Sequence, residues 1–378
     1  MAGRTYAQDV AFLSDHAKVL ELSTADDGKV AVVPQYQGRI MTSSLAGREG
    51  ASFGWINEAF ISAGKDSDVF NNYGGEDRFW LGPEGGQYAL WFKAGQPFDL
   101  EHWKTPAGFN CGEFDVESHD AGKVVMTRRF EVANFSGMTF QCSLRRTVSV
   151  IDRQKAGQLL GGVISDRIRM VGFESFNELT NNGSSVWTRE NGLVSIWILG
   201  QFKPLPDGKV IVPFRSGSTR KLGPRANTEY FGKIPPQRCV VKDDHVLFTC
   251  DGRHRSKIGV APGRALDVLG SFDPRQGLLT IVQFSLPPQA GELPYVNSLW
   301  QMQDHPYAGD VVNSYNDGPN DDGSQLGPFY ELETSSPAAE LKIDQTISHT
   351  HRTFHFQGER ADLVDLGKRI LGVDLAMI

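Results

Sequence analysis

The chain has 378 residues, 40% of them hydrophobic, with 41 Gly, 19 Pro and a formal net charge of −7. Its Lys and Arg are interspersed with Asp and Glu rather than clustered, which argues against a nucleic-acid partner. No apolar run approaches the roughly 18–20 residues of a membrane-spanning helix, and the N-terminus lacks the basic-then-apolar order of a secretory signal, so a cytoplasmic location with no membrane partner is expected.

Tyr6, Val10, Leu13 and Ala17 recur at helical spacing behind Thr5, which predicts a short amphipathic helix capped by that threonine. VLELS (19–23), KVAVVP (29–34) and GRIMTSS (38–44) read as successive short strands, and SFGWINEAFIS (52–62) fits either a strand or a short helix. The stretch 71–87, NNYGGEDRFWLGPEGGQ, matches neither periodicity. Its Gly pairs, Pro83 and charged triplet predict a rigid, polar, turn-rich loop with an aromatic anchor.

YALWF (88–92) predicts a strand, and 112–150 is plainly β by its alternation, most clearly through Phe140–Val150. Further strands are expected in 168–183, 185–202, 253–262, 265–273, 278–286, 294–303 and 329–336. RCVVKDDHVLFTC (238–250) reads as a hairpin. The four Cys show no C-x-x-C spacing, so free thiols are expected in place of a zinc ribbon. TISHTHRTFHFQG (346–358) is the last strand, ADLVDLGKRILGV (361–373) a closing helix, and 318–326 a mobile loop.

About eighteen or more strands without β-α-β alternation or a fixed repeat predict an all-β fold of two extended antiparallel sheets packed face to face, with short terminal helices. No linker is apparent, so residues 1–378 are expected to form one domain.

Three late segments carry candidate chemistry. In 301–319, His305 beside Asp304 is either a surface histidine or a general acid, and Asn316 is a binding candidate. In 328–340, strand alternation puts Glu331 and Glu333 on one face, where close approach would raise at least one pKa. In 348–357, His349, His351 and His355 share a strand face. They could ligate zinc or iron, or simply hydrogen-bond; no third ligand can be placed, and neither metal nor cofactor is expected. Lys257 is either an ordinary strand-edge charge or a contact for an anionic sugar group, Trp187 and Trp197 are core strand residues by default, and Trp300 is the tryptophan best placed to stack on a sugar.

The order GRIMTSS, a YGG-containing loop, then a late LET followed by Pro resembles the galactose mutarotase-like proteins (aldose 1-epimerases and their relatives), and a bacterial branch with GGEDRFWLGPEGG-type loops and FYELETSSPA-type endings in particular. The resemblance spans residues 18–358. It implies an antiparallel β-supersandwich with a sugar on its concave face and Glu333, in Leu332-Glu333-Thr334, as the base for the anomeric hydroxyl proton. Tyr73 stands where the family's His-Gly-Gly step keeps a sugar-binding histidine, and GLVSIWILGQF lacks the family's second histidine.

The expectation is therefore a sugar-active enzyme of epimerase type, or a lyase-like or hydrolytic relative, with Glu333 as base and His305 or Arg78 as acid or electrostatic partner. Asn72, Tyr73, Glu76, Asp77, Trp80, Glu84, Trp300, Asn316 and Glu331 would bind the carbohydrate. The alternative is a non-catalytic carbohydrate-binding or regulatory protein of the same fold, and a third reading is a metal-dependent enzyme using the histidine strand.

Overall fold

The structure is a computed structural model and describes residues 3–320 and 322–378. Thr5 caps the first helix, Tyr6–Ser14, in a reciprocal arrangement: its hydroxyl accepts from the Gln8 N–H while the Gln8 side chain accepts from the Thr5 N–H. The ambiguous 52–62 segment resolves into isolated bridges at Gly54 and Ile56 followed by a short helix, Glu58–Ala63.

Eighteen strands form among the described residues, beginning with β1 (Leu20–Ser23), β2 (Lys29–Val33) and β3 (Arg39–Ser44). Then come β4 (Arg78–Gly82), β5 (Asp115–His119), β6 (Lys123–Ala133), β7 (Thr139–Ile151) and β8 (Arg169–Asn181). β9 (Ser195–Phe202), β10 (Lys209–Pro213), β11 (Cys239–Val241), β12 (His245–Thr249) and β13 (Ser256–Val260) follow. The last are β14 (Val268–Asp273), β15 (Leu278–Phe284), β16 (Val312–Asn316), β17 (Tyr330–Ser335) and β18 (Thr346–Gln357).

Every pairing between these strands is antiparallel. Ten strands form one sheet in the order β11-β12-β10-β14-β15-β18-β8-β7-β6-β5, five form a second in the order β13-β16-β17-β9-β4, and β1–β3 form a small third sheet that the sequence pattern did not anticipate. The ten- and five-stranded sheets face each other, as Tyr330 on β17 reaching Ser271 on β14 shows, with hydroxyl oxygens 2.8 Å apart. The C-terminal helix, Arg360–Leu371, covers part of the outer face of the large sheet, where Leu363 and Leu366 pack with Phe354 and Phe356 of β18.

Several local expectations need correction. Residues 88–92 and 294–303 are turns and irregular chain rather than strands, so Trp300, like Trp187, does not sit on one. The first is an apolar run that packs without a strand partner, a case that hydrophobicity cannot separate from a buried strand, and the second makes only the isolated bridge of Tyr295 with Ala308. The 71–87 stretch is not wholly a loop, because Arg78–Gly82 is β4, buried along its whole length. The 301–319 stretch likewise contains a buried strand, β16. Of the loop 318–326, residue 321 lies outside the described residues. All four cysteines are free, as expected.

The layer between the sheets is unusually polar. Glu76 accepts from the Ser43 hydroxyl at 3.0 Å and lies 2.7 Å from His355 Nε2, while Asp77 accepts from Arg146 and from the Ser175 hydroxyl at 2.7 Å. Thr334 Oγ1 lies 2.8 Å from both His349 Nε2 and His351 Nδ1. Burial holds His349 at about 3 and His351 at about 4, so both are neutral at pH 7. These three histidines share a face of β18 as the alternation predicts, and each is hydrogen-bonded there through at least one ring nitrogen, His349 to Thr334 and Ser285, His351 to Thr334, and His355 to Glu76 and Thr280. Among the described residues no group of three or more His, Cys, Asp and Glu is placed to hold a metal ion.

Candidate functional site

The period of two along each strand assigns alternate residues of the five-stranded sheet to its outer face, away from the large sheet. Register then aligns them across strands: Lys257 of β13 stands opposite Tyr315 of β16, Tyr315 opposite Glu331 of β17, and Glu331 opposite Gln201 of β9. Beside this row Arg78 and Trp80 of β4 lie opposite Leu199 and Trp197 of β9. Together these side chains floor a cavity of about 430 Å³. Its walls are irregular chain that carries Phe70, Trp103, Phe231, Trp300 and Phe329.

Two ion pairs set the electrostatics of the floor. Arg78 Nη2 donates to Glu331 Oε1 at 3.1 Å, and Lys257 Nζ donates to Glu333 Oε2 at 2.9 Å. Glu333 Oε2 also accepts from the Trp197 indole at 3.0 Å. The Arg78 guanidinium lies 3.9 Å above the Trp80 ring, a cation–π contact that fixes its plane. Burial pushes Glu331 up to about 7, and the neighbouring Glu333 charge adds to the rise while Arg78 and Lys257 oppose it. Burial also raises Glu84, which accepts from the Trp103 indole at 2.6 Å, and Asp317, which accepts from the Tyr315 hydroxyl. For Lys257 burial works against the charge, but the surrounding glutamates outweigh it and the net direction is up.

Buried polar atoms without a partner gather at this floor. Arg78 Nε and Nη1, Trp80 Nε1, Gln201 Oε1 and Glu333 Oε1 are all of this kind. Such atoms forfeit their hydration without compensation; others lie elsewhere, as His351 Nε2 and Thr353 Oγ1 do between the sheets, but those of Arg78, Trp80 and Gln201 belong to residues that line the cavity.

The sequence-based candidates divide cleanly. Asn72, Arg78, Trp80, Glu84, Trp300 and Glu331 line the cavity. Glu333 lies beneath it with no exposure, held by Trp197 and Lys257. Glu76 and Asp77 do not shape the cavity, because alternation into β4 turns Asp77 inward while Arg78 points outward, and Glu76 joins the inter-sheet network. Tyr73 is turned toward Tyr36, on which it stacks at 4.0 Å between centroids, and its hydroxyl donates to Asp66. Asn316 faces the other side of β16, where it accepts from the Gly252 N–H and donates to the His254 carbonyl, both at 2.9 Å. His305 is exposed and outside the cavity, and none of the nine histidines lines it.

Sequence reasoning missed Trp103, Gln201, Phe231, Arg255 and Tyr315 as cavity residues. It also left Trp197 in the core and Lys257 between two roles. The register opposite Glu331 would have found Gln201 and Tyr315 had β9 and β16 been paired with β17 beforehand.

The whole described chain matches one family, over residues 4–378. The chain belongs to DUF6786, a family of unknown function. A comparison with curated protein sequences finds no match. Among solved structures, this DUF6786 chain is similar to a candidate aldose 1-epimerase from Escherichia coli K12, at 12% identity and a TM-score of 0.54, over 89% of this chain and 98% of that one. It is also similar to a galactose mutarotase-like protein from Lactobacillus casei ATCC 334, at 11% identity and a TM-score of 0.50, over 89% of this chain and all of that one. The fold is galactose mutarotase-like, a large antiparallel β-sandwich with few helices.

Proposed function

We propose that the protein binds a carbohydrate in this cavity and acts on it by acid/base chemistry of the epimerase type. One observation carries the reading: unpartnered polar atoms of Arg78, Trp80 and Gln201 belong to residues that line a cavity walled by aromatic rings. A sugar asks for that combination, since its hydroxyls need hydrogen bonds and its C–H faces pack on rings. The names carried by the two structural relatives point the same way.

Glu331 is the proton carrier in this reading. A carboxyl near pKa 7 is present in both protonation states at neutral pH, the condition for general acid and general base work in one turnover. As carboxylate it takes the anomeric hydroxyl proton while the C1–O5 bond opens and its electron pair passes to the ring oxygen, to which Glu331 then gives that same proton; closure on the other face reverses both transfers. Arg78 offers its free N–H groups to the oxygen that gains negative charge. Glu333, pinned to Lys257 and Trp197, keeps Lys257 over the floor and acts on Glu331 through its charge.

Saturation-transfer NMR against a panel of aldoses, uronic acids and oligosaccharides, followed by exchange spectroscopy of anomer interconversion, tests this. Wild type is expected to bind and to accelerate interconversion, with Glu331→Gln losing about 10²-fold or more of the rate. Absence of binding to every sugar would sink the reading. Binding without turnover in wild type, equal in Glu331→Gln, would instead identify a carbohydrate-binding protein, an outcome favoured by the enclosure of Glu333 and by the lack of a cavity histidine.

A further inference from the structure

The cavity changes character from floor to mouth. Its floor is buried and ionic, with Arg78, Lys257 and Glu331 all below 9% exposed. Its mouth carries Val69, Leu100, Phe231 and Leu326, which are 41%, 55%, 36% and 46% exposed and line the same cavity. They come from four separate segments of the chain, so no single amphipathic element accounts for them. Isolated exposed apolar side chains are ordinary, but four that line one cavity, beside the polar Arg255, Asn320 and Gln325, form a patch that solvent disfavours. Three are aliphatic and lack the π face on which a second sugar would stack.

We infer that the ligand is an aldose carrying an apolar chain away from its anomeric carbon, such as a 6-O-alkyl ether, with its sugar on the ionic floor and its chain against Val69, Leu100, Phe231 and Leu326. The inference rests on the carbohydrate reading above and adds the second half of the molecule. A free sugar would leave the apolar ring in water, and a polysaccharide would set hydroxyls against it. A ligand polar at one end and apolar at the other matches the gradient in the order in which the cavity presents it.

Paired titrations decide the matter. The 6-O-methyl and 6-O-octyl ethers of glucose, galactose and mannose, each with its anomeric hydroxyl free, are titrated below the micellar concentration, with the fluorescence of the cavity tryptophans as readout. A fully buried methylene is worth about 4-fold in affinity, so even partial cover of the chain predicts an octyl-to-methyl ratio of about 10 or more. Leu100→Ser and Leu326→Ser alter exposed side chains, and each should reduce that ratio severalfold. Methyl and octyl ethers that bind equally well would overturn the inference and leave the carbohydrate reading standing. If no ether of either kind binds, both fall. If 1-octanol reproduces the octyl effect and no methyl ether binds, the site is apolar without being a sugar site, and both again fall. Should wild type elute as a dimer that Leu100→Ser dissociates, with a flat ratio, the rim is a contact between copies and the inference is wrong.

Discussion

Replacing Glu331 by Gln should make the protein relatively more stable in alkali than in acid. The carboxyl lies near pKa 7 in the folded protein and near 4.5 when exposed, because burial and Glu333 outweigh the help of Arg78. The folded state therefore holds the proton more tightly than the unfolded one. The stabilisation is full below pH 4.5 and is lost as pH rises through 7. Linkage gives about 2 kcal/mol lost between pH 5.5 and pH 8. Wild type alone will not display this, since His349 and His351 act in the opposite sense. Their depressed folded values mean that the unfolded state takes up protons first as pH falls below 6.5, costing about 1.4 kcal/mol for each at pH 5.5. The useful quantity is the difference between wild type and Glu331→Gln, in which the histidines cancel. Gln keeps an acceptor for Arg78 and removes only the titration. Urea unfolding at the two pH values should show the variant gaining on wild type by about 2 kcal/mol more at pH 8 than at pH 5.5. A difference constant to within about 0.5 kcal/mol would refute the reasoning.

The inter-sheet layer yields two further expectations. Asp77→Ala strands the Arg146 guanidinium with no exposure and should cost about 3–5 kcal/mol by urea midpoint; a loss under about 1 kcal/mol would mean that Asn177, 2.6 Å from Arg146, suffices alone. The double variant His349→Gln/His351→Gln should flatten the acid limb, losing about 3 kcal/mol less than wild type between pH 8 and pH 5.5, and an unchanged limb would show that the pair titrates normally.

What the sequence made legible follows from where alternation survives. β6 and β7 have one face toward solvent along much of their length, so their periodicity is open, and both fall within the 112–150 stretch that it marks as β, but for Ile151. β4 and β16 are buried on both faces, and the second carries Asn313, Ser314 and Asn316, so neither looks like a half-buried strand. The Glu331–Glu333 face needed only the local period of two. The rest of the site needed pairing: Arg78, Trp197, Lys257, Tyr315 and Glu331 are far apart in sequence and converge only through the register of five strands. The charged triplet shows the same limit, because Glu76, Asp77 and Arg78 are adjacent in the chain yet serve two layers.

β17 makes this division strict, with Glu331 and Glu333 on the cavity side and Tyr330 and Thr334 bonded to the opposite sheet. A single inserted or deleted residue there would exchange the two sets, lodging both carboxylates in the inter-sheet layer. Lineages of this family can therefore diversify the floor only by exchanging side chains in place, whereas the loops that build its walls are free to change in length. Side-chain exchange on the floor and length change in the walls are thereby uncoupled within one cavity.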